Sequence, residues 1–284
     1  MRRPASTIRE ALHSAVTALT AAGVPTPRLD AEVMLAAVLG VDRTALMLDP
    51  DGRVPGPEAR RFEGAWRRRG EDREPVAYIL QSKGFRHLDL HVDPRVLIPR
   101  PETELLVEVG LLLPAGVRVH DLGTGSGAIA LALADERPDL VVSGSDCSRD
   151  AVDVAQGNAG RLGLNARFGI GGWEIVADTG RPIDAVLVNP PYVAESERAA
   201  LAPELRHEPP GALFAGADGL DALREITALA GERLRSGRPF LIALEVGYGQ
   251  AQTVQGLLAR AGAQDTAIRC DLAGIERVVL GWRS

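Results

Sequence analysis

A chain of 284 residues is longer than a usual single domain, so one large domain with a smaller companion is expected. With 45% hydrophobic and 25% charged residues it can bury a full core, which excludes a disordered chain; a formal net charge of -6 excludes a protein that grips a nucleic-acid backbone through a broad basic surface. Cys147 and Cys270 are the only cysteines, so no disulfide framework is implied and two buried free thiols in a reducing compartment are expected. No apolar run reaches the roughly 18 residues of a membrane span, and the basic start MRRPA lacks the apolar stretch of a secretion signal, so a soluble, cytoplasmic protein is expected.

Residues 1–73 read as a small helical bundle. Thr7 and Glu10 form a capping box, and Leu12, Ala15, Val16 and Leu19 follow at helical spacing up to Gly23. A second helix starts near Pro27, with Leu29, Val33 and Ala36 on one face, and stops at Gly40; Asp42 can cap a third, TALML. A last helix, from about Pro57 to Arg69, offers Phe62, Ala65 and Trp66 as its apolar face. It also carries the one dense cationic cluster, Arg60, Arg61, Arg67, Arg68 and Arg69, which reads either as a solvated helix face or as a docking surface for an acidic or RNA-bearing partner. Residues 74–97 change period: Leu88, Leu90 and Val92 alternate with Asp89 and His91 like a strand, and the stretch PVAYILQSKGFRHLDLHV predicts a hairpin connector.

From residue 98 to 284 apolar strands alternate with helices: strands at 117–122, 140–146, 166–170, 183–189 and 239–247 are separated by helical segments. Strands joined by helical crossovers predict a mostly parallel sheet covered on both faces, a Rossmann-like α/β architecture. AQDTAIRCD and ERVVLGWRS have too short a link for a crossover and predict an antiparallel C-terminal hairpin, so that one strand of the sheet runs against the rest. That combination resembles the class I methyltransferase fold.

Chemistry concentrates in two runs. Asp121–Gly127 reads D-L-G-T-G-S-G between a strand and its helix, where glycines let backbone approach a ligand and the helix start offers free N–H groups. Gly123, Gly125 and Gly127, with Thr124 and Ser126 between them, follow G-x-G-x-G, the form of S-adenosylmethionine sites, and not the G-x-G-x-x-G of dinucleotide sites. Asp146 ends the next strand, where a carboxylate can accept from both ribose hydroxyls or else cap the following helix. The second run, Asn189, Pro190, Pro191 and Tyr192, closes the strand IDAVLV. There the Asn189 side-chain oxygen and the Pro190 carbonyl can each accept one hydrogen of a planar NH2 group while the Tyr192 ring packs against it. Holding both hydrogens aims a delocalised nitrogen lone pair at a sulfonium methyl for in-line displacement, with no metal required. His13, His87, His91, His120 and His207 show no metal-ligand spacing.

Taken together, DLGTGSGAIALALA, VNPPY, HEPPGALFAGADGL, DLAGIERVVLG and the stretches VAYIL and VLIPRPETELLVE resemble the HemK/PrmC family over nearly the whole chain. These are the glutamine methyltransferases of bacterial class 1 peptide-chain release factors. The resemblance implies N5-methylation of the glutamine in the release factor's Gly-Gly-Gln loop, with S-adenosyl-L-methionine as cofactor, by a monomer whose N-terminal helices dock the substrate. By motif, Gly123–Gly127, Asp146 and Asn189 would hold the cofactor, Trp173 would lie near its adenine, and Asn189, Pro190, Pro191 and Tyr192 would hold the glutamine. Read without the family, Trp173 is a packing residue. Glu245 and Arg277 match family positions and are expected to organise the sheet end and the hairpin. Two departures stand out: Gly171 and Gly172 occupy the place of an acidic residue before Trp173, with Glu174 the nearest substitute, and QSKGFRH differs from the usual hairpin sequence. An adenine N6-methyltransferase of nucleic acid, whose target also presents a planar NH2, and a non-catalytic module that binds release factors are the competing readings.

Overall fold

The computed structural model describes residues 6–178, 180 and 183–284, so the basic start MRRPA lies outside the described residues. Two units form. One takes the residues up to Gln81 and, from far along the chain, Ala202–His207; the other takes Ser82–Leu201 and Glu208–Ser284.

The first unit is helical: α1 (Ile8–Ala21), α2 (Pro27–Leu39), α3 (Arg43–Leu48), α4 (Gly56–Glu71) and α5 (Val76–Leu80). The expected capping box closes the start of α1, with Glu10 N–H donating to Thr7 Oγ1 at 3.2 Å and Thr7 N–H to Glu10 Oε2 at 2.9 Å. Asp42 caps α3 through Ala45 N–H. Ala15 and Leu19 of α1, Ala31, Met34 and Leu35 of α2, and Phe62 and Ala65 of α4 share the core.

Three expectations change here. Of the expected face of α2, Ala36 is buried and Val33 partly so, but Leu29 is exposed, and the buried face centres on Ala31, Met34 and Leu35, with Asp30 turned inward to meet Arg69. The cationic cluster of α4 is not a uniform solvated face: Arg69 Nε donates to Asp30 Oδ2 at 2.7 Å in a buried bond and its Nη1 to Glu204 Oε1 at 2.7 Å in a partly buried one, and Arg68 pairs with Glu74. VAYIL is the helix α5, launched by Pro75 and ended by Gln81 in a left-handed conformation; burial of Tyr78 overrides the strand preference of its β-branched and aromatic residues.

The second unit opens with the hairpin strands β1 (Lys83–Phe85) and β2 (Leu88–Leu90), so the connector hairpin is shorter than the sequence pattern implies. There follow α6 (Glu104–Leu111), β3 (Arg118–Leu122), α7 (Ala128–Glu136), β4 (Val141–Asp146), α8 (Arg149–Leu162), β5 (Arg167–Ile170), β6 (Ala185–Val188), α9 (Asp221–Arg235), β7 (Phe240–Glu245), α10 (Ala251–Ala261), β8 (Asp265–Cys270) and β9 (Glu276–Arg283). The seven-stranded sheet has the order β5-β4-β3-β6-β7-β9-β8, parallel throughout except for β9, which runs antiparallel between β7 and β8. Every residue of β6 is buried, as a strand covered on both faces requires. Val186, Val188, Ile242 and Leu244 meet Leu223 and Ile226 of α9 and Val254 and Leu258 of α10 on one face, while α6 and α7 pack on the other. The strand order reverses direction between β3 and β6, and it is at this switch point, beyond the carboxyl ends of the strands, that open parallel sheets bind ligands.

Both cysteines are exposed, contrary to expectation: Cys147 lies in the turn after β4 and Cys270 ends the edge strand β8, places where the backbone leaves the packed layers. No helix among the described residues is long and apolar enough to cross a membrane.

Candidate active site

The turn after β3 is built on its neighbour strand. Gly123 and Thr124 both donate backbone N–H to the Ser145 carbonyl, at 2.8 and 2.9 Å, which draws the loop across the end of β4. Thr124 Oγ1 donates to Asp121 Oδ2 at 2.6 Å, and Ala130 N–H reaches the same oxygen from the first turn of α7. Gly125 N–H donates to Asp146 Oδ2 at 3.0 Å, Ser126 is buried and its carbonyl accepts from Asn158, and Gly127 leads into α7. A side chain at Gly123 would stand 3.2 Å from the Trp173 ring, so glycine is what lets that ring cover the turn; at Gly125 the space is open.

Asp146 therefore stands beside the glycines, its Oδ2 on Gly125 N–H and its Oδ1 on Ser148 N–H at 2.9 Å. Each oxygen keeps a further lone pair for a ligand hydroxyl. The helix cap falls to Ser148, whose hydroxyl accepts from Ala151 N–H, so Asp146 is not consumed as a cap. Trp173 is only partly buried, packed on the core cluster with ring atoms Cζ3 and Cη2 nearest Gly123. Gly172 N–H donates to Glu174 Oε1 at 2.9 Å, so the Glu174 carboxylate folds back to where a side chain at residue 172 would stand.

Asn189 follows β6 directly, and its Nδ2 donates to Thr103 Oγ1 at 3.1 Å. Pro190 is buried, and Pro191 and Tyr192 are half-buried. The Tyr192 hydroxyl donates to Glu245 Oε1 at 3.1 Å, and its backbone carbonyl accepts from Gln250 Nε2 at 3.0 Å. The motif is braced further on: Val193 bridges to Phe214, and a Cβ at Gly219 would lie 2.3 Å from the Tyr192 carbonyl oxygen, so the glycine turn of the GADGL run closes against the backbone of the motif.

Two buried carboxyls lie behind these groups. Burial pushes Asp121 up to about 7 against its bonds from Thr124 and Ala130, and its Oδ1 has no hydrogen-bond partner. Burial likewise pushes Glu245 up to about 7, opposed by the hydroxyls of Thr103 and Tyr192; its Oε2 is also without a partner. Burial and the Glu245 carboxylate hold the Tyr192 phenol well above its ordinary value, so it stays protonated. Sequence reasoning misses Thr103 entirely and gives Glu245 only a scaffolding part; Arg277 keeps one, binding Asp271 through Nε at 3.0 Å. Among the described residues no cluster of His, Cys, Asp or Glu is placed to hold a metal.

A mostly parallel sheet with one reversed strand, a glycine turn after its first parallel strand, an acid at the end of the next strand and N-P-P-Y at the end of the fourth define a class I S-adenosylmethionine-dependent methyltransferase. The open space at Gly125, the aromatic cover from Trp173 and the free lone pairs of Asp146 fit the adenosine of that cofactor. Residues 101–218 match the methyltransferase small domain, and residues 10–80 match the PrmC N-terminal domain. The chain is 44% identical to the release factor glutamine methyltransferase of Gloeobacter violaceus, over 88% of each chain. It is 43% identical to that of Rhodospirillum rubrum, over 93% of this chain and 82% of the relative, and 38% identical to that of Koribacter versatilis, over 97% and 98%. The chain belongs to the release factor glutamine methyltransferase family.

Proposed function

We propose that this enzyme methylates the side-chain amide nitrogen of the glutamine in the Gly-Gly-Gln loop of class 1 release factors, giving N5-methylglutamine. The observation that carries the reading is the commitment of Asn189 Nδ2 to Thr103, which leaves Oδ1 as an acceptor beside a Pro190 carbonyl that has no N–H of its own. Those two oxygens hold the two hydrogens of a primary amide and set its nitrogen lone pair toward the glycine turn. S-adenosylmethionine, when bound, supplies the electrophilic methyl: the N–C bond forms as the C–S bond breaks, S-adenosylhomocysteine leaves, and the amide proton passes to water. Tyr192 is no base here, because its hydroxyl is buried and donates to Glu245; its ring is a flat wall for the amide. Gly123, Thr124, Gly125, Ser126 and Gly127 with Asp146 and Trp173 hold the cofactor, and Glu174 takes the place of the acid missing at residues 171 and 172.

We assign the helical unit to substrate docking. Its groove of about 550 Å3, lined by Leu12, Val16, Leu46 and Met47 with Arg9 and Glu32 among its polar groups, is the surface on which contact is expected. On this reading the enzyme is expected to act in the cytoplasm, as a monomer and without a nucleic-acid substrate. The test is incubation with labelled S-adenosylmethionine and a recombinant release factor, followed by mass mapping of the Gly-Gly-Gln peptide. One methyl on the glutamine is expected; an unmodified loop alongside methylated nucleic acid would reverse the assignment.

A further inference from the structure

We propose that Gln250 is a positioning residue for methyl transfer: its side-chain amide fixes the backbone of Tyr192 and so sets the flat wall that the target amide meets. The use of that wall rests on the function proposed above; the hydrogen bonds around Gln250 do not.

Gln250 stands at the N-cap of α10, where a short side chain such as serine or aspartate ordinarily accepts from the helix's own first N–H groups. Its side chain makes no such bond. The amide is turned instead to three other turns of the chain. Gly247 N–H donates to Gln250 Oε1 at 2.9 Å while Gln250 N–H donates to the Gly247 carbonyl at 3.2 Å, which closes the turn after β7 in both directions. Gln250 Nε2 donates to the Tyr192 carbonyl at 3.0 Å and to the Gly219 carbonyl, in the turn ahead of α9, at 3.4 Å. An amide NH2 has two hydrogens, one for each carbonyl, and the amide oxygen takes the remaining N–H, so every donor meets an acceptor. Reversed, the same side chain would set its oxygen against two carbonyls and its NH2 against an N–H. The three partners therefore admit a single orientation.

Tyr192 is in this way held along its length by the stretch Glu245–Gln250. Its hydroxyl donates to Glu245 Oε1 at 3.1 Å, its ring runs beside Gly247, where a Cβ would stand 3.2 Å from Cδ2, and its carbonyl is held by Gln250. Glu245 fixes the tip of the ring, and Gln250 fixes the backbone from which the ring projects. The carbonyls of Tyr192 and Gly219 converge on one nitrogen; without it two like dipoles lose their common donor, and the ring, still tied at its hydroxyl, tilts about that end.

The test compares the full wild-type chain with Gln250→Glu, which keeps the length and the acceptor for Gly247 but loses the donor, and with Gln250→Ala, which loses both. By 15N NMR the Gln250 side-chain amide protons of wild type are expected to exchange slowly, and by 13C NMR the Tyr192 carbonyl resonance is expected to move in both variants. With a release factor, kcat is expected to fall on the order of tenfold in both, while S-adenosylmethionine affinity by calorimetry stays within about twofold of wild type. Fast exchange of the Gln250 amide in wild type would overturn the proposal before any variant is made. Wild-type kcat in either variant would overturn it as well, as would a loss of cofactor affinity as large as the loss of kcat, the mark of general disruption. A wild type with a protected Gln250 amide that leaves the release factor unmethylated would uphold the anchoring of Tyr192 and overturn the function instead.

Discussion

At the scale of single residues, the site divides into groups that touch ligands and groups that aim them. Asn189→Ala removes an acceptor for the target amide and none for the cofactor's adenosine, so methyl transfer should fall on the order of a hundredfold while S-adenosylmethionine affinity by calorimetry stays within a few-fold. A Glu174→Ala variant should do the reverse, weakening cofactor affinity several-fold with little change in kcat, because its carboxylate is held over the glycines before Trp173. The ligand-touching groups are legible from sequence because each sits in a short run whose spacing is itself the chemistry. Thr103 is not, since its partner Asn189 is 86 positions away and a threonine in a linker carries no signal of its own. Glu245 is visible as a residue but not as a role, because nothing in ALEVG announces a tyrosine hydroxyl from another strand end. The cysteines mislead because their average burial says nothing about a turn or an edge strand.

At the scale of elements, period and caps carry the reading well where one element's own residues decide the outcome. The starts of α1 and α3, the five parallel strands and the C-terminal pair β8 and β9 all follow from local pattern. Local pattern fails where partners decide. On α2, Asp30 turns inward to meet Arg69 across 39 positions while Leu29 is left exposed, and α5 is helical because Tyr78 is buried. The Asp30–Arg69 pair, with side chains 10% and 7% exposed, makes a specific prediction: Arg69→Ala strands a buried carboxylate and should cost about 3–5 kcal/mol in urea unfolding of the helical unit. In the other unit, Gly219→Ala sets a Cβ against the Tyr192 carbonyl at a backbone angle of φ +75°, so it should lower both thermal stability and turnover.

At the scale of the whole molecule, buried acids set the response to pH. Asp121 and Glu245 sit at about 7 in the folded chain against ordinary values of 3.8 and 4.5. Between those limits the folded state keeps protons that the unfolded state has lost, so their contribution is full at the acid end of the window and is lost as pH rises through about 7. Carboxylates held low by arginine, such as Asp93 at about 2, act in the opposite sense and only below the ordinary carboxylate range. The melting temperature should therefore be higher near about pH 5.5 than near about pH 8, and Asp121→Asn should remove much of the difference; equal slopes in the variant and wild type would exclude Asp121 as a source. The discontinuous helical unit has a consequence of another kind, for the order in which the chain is made. Arg69 and Arg73 both bind Glu204, which leaves the ribosome more than a hundred residues after them. Until then Arg73 lacks this carboxylate and Arg69 has Asp30 without it. The nascent helices are thus completed only once the N-P-P-Y strand has been synthesised, and a fragment cut after Gln81 would preserve that unfinished stage of synthesis as a molecule.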